Sequence, residues 1–182
     1  MRILQIILFM LIVIFSGSGF AHEFAENENF NFRKTNWGMS REEVIKSEGI
    51  SAIESSKTTL TFKSILAKKN VLVEYYFLKN RLIRASYFIN HGYYDPSKHY
   101  YDFVLLDKLL KKQYSGPNIS KKIWSASEDV KNRVKESEAV YLGYLSLVSK
   151  WEITGTSISH VLKKTGIAGG IEHSIKFSNK AS

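Results

Sequence analysis

Hydrophobic positions fall into three patterns along this chain: one unbroken run, two stretches of helical spacing, and several of strict alternation. The unbroken run is 3–15, interrupted only by Gln5. Polar sequence follows over 22–36, with isolated Phe24, Phe30 and Phe32, and reads as a flexible lead-in whose last aromatics are free to dock. The first helix start lies in Trp37-Gly38-Met39-Ser40-Arg41-Glu42-Glu43-Val44. Ser40 and Glu43 have the spacing of a capping box, and Met39 and Val44 that of a hydrophobic staple. Gly49 is a natural stop, so this helix spans about two turns.

Alternation takes over at 58–62 and continues in a hairpin. Val71, Val73, Tyr75 and Phe77 share one face, as do Ile83, Ala85, Tyr87 and Ile89. Joining these sets places the hairpin centre at Asn80 and predicts a three-residue loop, 79–81. Asp95-Pro96 introduces the longest helix, about 97–114, with the apolar stripe Phe103, Leu106, Leu109, Leu110 and Tyr114. Gly116-Pro117 ends it. Beyond it, strands are predicted at 121–126, 139–153, 156–163 and 171–177, with 127–137 as a loop or solvated strand extension. The element order α-β-β-β-α-β-β-β-β, in hairpin-compatible runs, predicts an α+β fold: an antiparallel β-sheet with two helices packed on one face. The helix-then-strands pattern occurs twice, so the single domain 37–182 divides into sub-units of about 37–90 and 97–178.

The apolar run becomes informative once its flanks are read. Arg2 precedes it, and Ser16-Gly17-Ser18-Gly19-Phe20-Ala21 follows with small residues at Gly19 and Ala21, the pattern of a signal peptide 1–21 cut before His22. The run is short for a bilayer span of about 20 residues. The chain is therefore expected to be exported, to a periplasm or outside the cell. There is no cysteine, which excludes a disulfide framework, a thiolate site and a lipid anchor on Cys. The net charge of +9 becomes +8 when Arg2 is lost. An exported basic domain suits an anionic envelope component or an acidic protein. Export and scattered lysines argue against nucleic acid.

The Gly38-Met39-Ser40 helix start, with Val44 at the end of its first turn, resembles that of the SmpA/OmlA (BamE-like) envelope domains. It is also similar to the β-lactamase-inhibitor-protein-like fold. Leu109 to Pro117 resembles the helix end, with Tyr, Gly and Pro, of small exported proteins of this architecture, and Trp151, Thr156 and Ile158 resemble their closing strands. The resemblance implies a non-catalytic, protein-binding envelope domain. Members of the first family are lipoproteins, whereas this chain lacks the anchoring Cys and is longer.

Candidate chemistry is sparse. In a hairpin centred between Gly166 and Ile167, His160 pairs with His173, Ile158 with Ile175 and Leu162 with Ile171. Two facing imidazoles would hold Zn²⁺ only with a third ligand such as Glu152 or Glu172, and Glu172 points away from His173. The alternative is two amphipathic rings on a half-buried strand face. His91, His99, Tyr93, Tyr94, Tyr100 and Tyr101 flank Asp95-Pro96, as a pocket lining or as loop packing. No serine stands in Gly-x-Ser-x-Gly or a supported Ser-x-x-Lys. The Gly-rich segment 166–170 joins strands and has no Gly-Lys-Ser/Thr, so it is no phosphate cradle. The expectation is a non-enzymatic binding domain without a cofactor, the alternative a hydrolase or metal-binding protein using His160 and His173.

The second parity set of the hairpins is Leu72, Glu74, Tyr76, Arg84, Ser86 and Phe88, then Ser157, Ser159, Val161 and Lys163. It mixes rings, charge and hydroxyls as an interface does. Tyr76, Arg84 and Phe88 are the predicted centre of a binding face, the alternative being that the loops 91–96 or 127–137 cover these rings. For the leader, intact-mass measurement of the exported protein is expected to give a chain beginning at His22; a retained segment 1–21 would overturn that reading.

Overall fold

The structure is a computed structural model and describes residues 30–89, 92, 93, 95, 97–166 and 170–181. The segment 1–21, expected to be a signal peptide, and the N-terminal part of the lead-in lie outside the described residues, as do His91, Tyr94 and the centre of the 166–170 segment. The elements are α1 (Arg41–Glu48), β1 (Glu54–Ser55), β2 (Thr59–Leu66), β3 (Lys69–Leu78), β4 (Arg81–Phe88), α2 (Ser97–Tyr114), β5 (Ile119–Trp124), α3 (Glu128–Arg133), α4 (Glu136–Leu142), β6 (Leu145–Ile153), β7 (Thr156–Thr165) and β8 (Gly170–Asn179). The strands form one eight-stranded antiparallel sheet in the order β1-β2-β3-β4-β8-β7-β6-β5, and the fold is α+β.

Local chemistry explains the helix ends. Ser40 Oγ accepts from the Glu43 N–H at 3.3 Å, while Glu43 Oε2 accepts from the Ser40 N–H at 2.7 Å, a complete capping box. Gly49 ends α1 with φ 68°, where a residue without Cβ has no strain. Instead of the predicted loop or strand at 127–142, the chain forms α3 and α4. In α3 the pairs Lys131–Glu128 and Arg133–Asp129, each 2.9 Å, stand one turn apart on a helix that buries nothing. A seven-residue helix is too short to display a helical period, which is why 139–142 reads as the start of a strand. Its adjacent buried pair, Ala139 and Val140, and its stop at Gly143, φ 85°, are helical features.

The β3–β4 hairpin keeps the predicted pairing through its body, from Leu72↔Phe88 to Tyr76↔Arg84. Near the turn a β-bulge shifts the register, so Phe77 pairs with Leu82 and the loop shortens to Lys79-Asn80. Both loop residues have positive φ, 50° and 58°, which matches the strand twist of a two-residue hairpin. The bulge turns Leu82 into the core in place of Ile83.

Across the sheet, pairing aligns one parity set into continuous rows. Leu60, Tyr75, Ala85, Phe177, Ile158 and Trp151 form one row from β2 to β6, and all are buried. Val44 of α1 and Leu106 and Leu110 of α2 join the same cluster. Phe103, Ala139, Val140, Leu145, Leu147 and Leu162 make a second cluster under α4.

The last residues of the lead-in are held by this core. Phe32 is fully buried, its ring 4.9 Å from both Tyr87 and Phe177 and 5.5 Å from Tyr75. Arg33 grips Glu48 with two bonds, 3.0 and 3.1 Å, and the Tyr75 hydroxyl donates to the same carboxylate. Trp37 Nε1 donates to Thr156 Oγ1 at 2.9 Å. Truncating Phe32 to Ala is expected to cost about 3–5 kcal/mol in urea unfolding, as for a core aromatic. A loss below about 1 kcal/mol would mean that this segment is not part of the folded unit.

Candidate functional site: a buried histidine pair and an open sheet face

The inward rows do not stay apolar to the edge. One runs Phe62, Val73, Tyr87, Ile175 and then His160, Ser149 and Ser120, so it turns polar at β7. The next runs His173, Leu162, Leu147 and Lys122. Helix α2 lies over this polar end and supplies Asp107 and Phe103, spaced one turn apart on its buried side.

His160 and His173 are not cross-strand partners. His160 pairs with Ile175 and His173 with Leu162, a register two residues from the predicted one. The hairpin closes at the Thr165↔Gly170 pair, where Thr165 Oγ1 donates to the Gly170 carbonyl at 3.1 Å. This register also brings Lys163 opposite Glu172, with Nζ 3.3 Å from the carboxylate. A shift of two preserves parity, so both imidazoles still face inward and meet diagonally, Nε2 to Nε2 at 3.0 Å. Phe103 stacks on His160 with ring centroids 4.0 Å apart.

Asp107 faces the other side of His160, its Oδ1 3.6 Å from Nδ1, and pairs through Oδ2 with Lys111 at 2.7 Å. Burial would raise the Asp107 carboxyl; contacts with His160, Lys111 and Ser149 outweigh it and hold the pKa at about 2. Burial pushes the His160 imidazole below its ordinary value despite Asp107. The ring is neutral at pH 7, and a carboxylate at Nδ1 selects the Nδ1–H tautomer. Its Nε2 then accepts, and His173 donates from Nε2.

Glu152 and Glu172, the third ligands weighed from sequence, take no part. Glu152 accepts from Ser157 and pairs with Lys180, and Glu172 pairs with Lys163 and Lys176. Among the described residues no group of three His, Asp or Glu side chains has the geometry to hold a metal. The Asp95 neighbourhood packs: Tyr93 stands edge-on to His99 with centroids 4.9 Å apart and donates to Asp102, which pairs with Lys69 at 2.7 Å. Tyr100 donates to Glu136 at 2.6 Å. Asp107 is the residue sequence reading missed. Its signal is an acid placed between Leu106 and Leu110 of an apolar stripe.

The opposite parity set forms three parallel rows. They are Thr59-Tyr76-Arg84-Ser178-Ser157-Glu152, Thr61-Glu74-Ser86-Lys176-Ser159-Lys150 and Lys63-Leu72-Phe88-Ser174-Val161-Val148. Tyr76 and Phe88 are half-buried and Arg84 is exposed, with its guanidinium 4.6 Å from the centre of the Tyr76 ring. The short side chains of Ser86 and Ser174 sit below the neighbouring rings and are buried.

No protein family, no curated protein and no solved structure matches this chain. Among the described residues no helix is long and apolar enough to cross a membrane.

The histidine pair generates a pH prediction. Unfolded, His160 takes up a proton near pH 6.5; folded, it does so only at lower pH. Acid in that window therefore favours the unfolded chain, at up to about 1.4 kcal/mol per pH unit per proton. Urea unfolding at pH 7.5, 6 and 5 is expected to show stability falling with pH, with a smaller fall in His160→Gln. The Asp107 contribution is lost separately, as pH drops from about 3.8 toward about 2. A profile flat from pH 7.5 to 5 would contradict this assignment.

Proposed function

We propose that this is an exported, non-catalytic binding domain that takes an acidic protein partner on its open sheet face. The observation that carries the reading is the Tyr76–Arg84 pair on the same face as Phe88 and Leu72, with the Glu74–Ser86 row between them, on a face whose helix-covered counterpart holds the core. Tyr and Arg are the residue types enriched at interface centres, and an arginine stacked on a ring is already ordered for binding. Lys63, Arg84, Lys121, Lys150, Lys163 and Lys176 stand on this face against Glu54, Glu74, Glu152 and Glu172, a surplus of two positive charges. That surplus favours an acidic partner and a salt-dependent association rate. The helices backing one face and leaving the other free is the arrangement this reading requires, with the strands of about 37–90 and 97–178 contributing jointly.

In this reading His160, 0% exposed, is a packed core group. The hydrolase reading would need the core to open around it, and would need a metal or nucleophile that the geometry around His160 and His173 does not favour.

The test is a Tyr76→Ala/Arg84→Ala variant assayed for stability and for capture of proteins from the native envelope. Capture of an acidic protein by the wild-type chain is expected to weaken at least tenfold in the variant and with added salt, while the melting temperature moves by less than about 3 °C. A fall in melting temperature as large as that of Leu106→Ala would mean that the face is buried and the reading wrong. Retained capture would also refute it, and binding to anionic lipid vesicles in place of a protein would redirect it.

A further inference from the structure

On the helix-covered side, a pocket of about 370 Å³ opens between α2 and the β5–β6 edge, at the polar end of the inward rows. Phe103, Val104 and Leu147 supply apolar wall, and Asp107 and Ser149 supply polar groups beside it. Four lysines border it, Lys108, Lys111, Lys121 and Lys122, but Lys121 pairs with Val148 and so carries its side chain on the opposite face of the sheet. Two of the others are neutralised, Lys111 by Asp107 and Lys122 by Glu136. Lys108 has no ion-pair partner among the described residues, so three cations against two carboxylates leave the pocket with a charge of +1.

We infer that this pocket binds a small amphipathic anion, a carboxylate with an apolar tail: the tail lies against Phe103, Val104 and Leu147, and the head meets Lys108. The volume is at the small end of ligand pockets, roughly 300–1,000 Å³, which suits a short tail better than a long lipid. Mostly apolar walls with few charged groups at one end are the usual composition of such sites. Asp107 does not repel the head, because Lys111, His160 and Ser149 already engage its carboxylate. The site lies on the other side of the sheet from Tyr76 and Arg84, so it is independent of the partner face.

The probe is octanoate, titrated by NMR into the intact domain, with octanol as the uncharged control and inorganic phosphate as the head alone. Octanoate is expected to shift signals of Val104, Leu147 and Ser149 and to bind at least tenfold more tightly than octanol or phosphate, with affinity falling as salt is added. Two variants separate the contributions. Lys108→Glu is expected to lower octanoate affinity at least tenfold without changing octanol binding. Val104→Asp, at a half-exposed helix position, is expected to abolish both. Equal binding of octanoate and octanol, unchanged affinity in the Lys108 variant, or shifts confined to other residues would each overturn the inference. So would the absence of octanoate binding at millimolar concentration.

Discussion

The ladder between β4 and β8 is the constraint on which the rest of the molecule depends. Each half of the chain makes its own antiparallel meander, and among the described residues the strand ladder that joins them runs from Arg84↔Ser178 to Phe88↔Ser174. That junction aligns Tyr87 with Ile175 and Ala85 with Phe177, which makes two half-rows into continuous rows across the sheet. Separated, the halves would each expose an unpaired central edge and part of the core, a poor state for a long hydrophobic strand. Phe32 reinforces the junction from above, since its ring touches residues of β3, β4 and β8 together.

With the rows aligned, the two faces acquire different chemistry for one reason. A strand alternates sides, so every inward row has an outward row beside it. Inward, apolar burial is continuous until β7, where His160, Ser149 and Ser120 replace it. Burying an imidazole pair is tolerable only if its hydrogen-bonding groups are engaged. The Nε2–Nε2 bond engages one nitrogen of each ring, Asp107 from α2 stands 3.6 Å from His160 Nδ1 as an electrostatic partner only, and the same polar end forms the back of the α2–β5–β6 pocket. Outward, the rows carry half-buried rings, lysines that are exposed or half-buried, and hydroxyls that are half-buried or buried.

Much of this architecture is legible in the chain by itself, because its determinants are local. The capping box at Ser40 and Glu43, the stop at Gly49, the stripe of α2 and the alternation in β3 and β4 each act within a few residues. They specify the element and its inward face without reference to the rest. The absence of cysteine is likewise decided by composition alone. The parity sets follow too, and that is why Tyr76, Arg84 and Phe88 are grouped correctly on one side of the sheet.

What the chain could not specify is whatever depends on closure between distant segments. The turn at Lys79-Asn80 takes a bulge because the core gains more from Leu82 than from Ile83. The β7–β8 register depends on a closing pair at Thr165 and Gly170 that alternation does not reveal, since a shift of two leaves the pattern unchanged. Short α3 and α4 have too few turns to declare a period, and α4 owes its place to Ala139 and Val140 meeting Leu145 and Leu162. Asp107 reads as an ordinary surface acid of a long helix until tertiary packing sets it 3.6 Å from His160. Local sequence thus determined the elements and their inward faces, whereas registers, the fourfold helix count and the Asp107–His160–His173 contact were decided by tertiary packing, because their energies come from partners far apart in the chain.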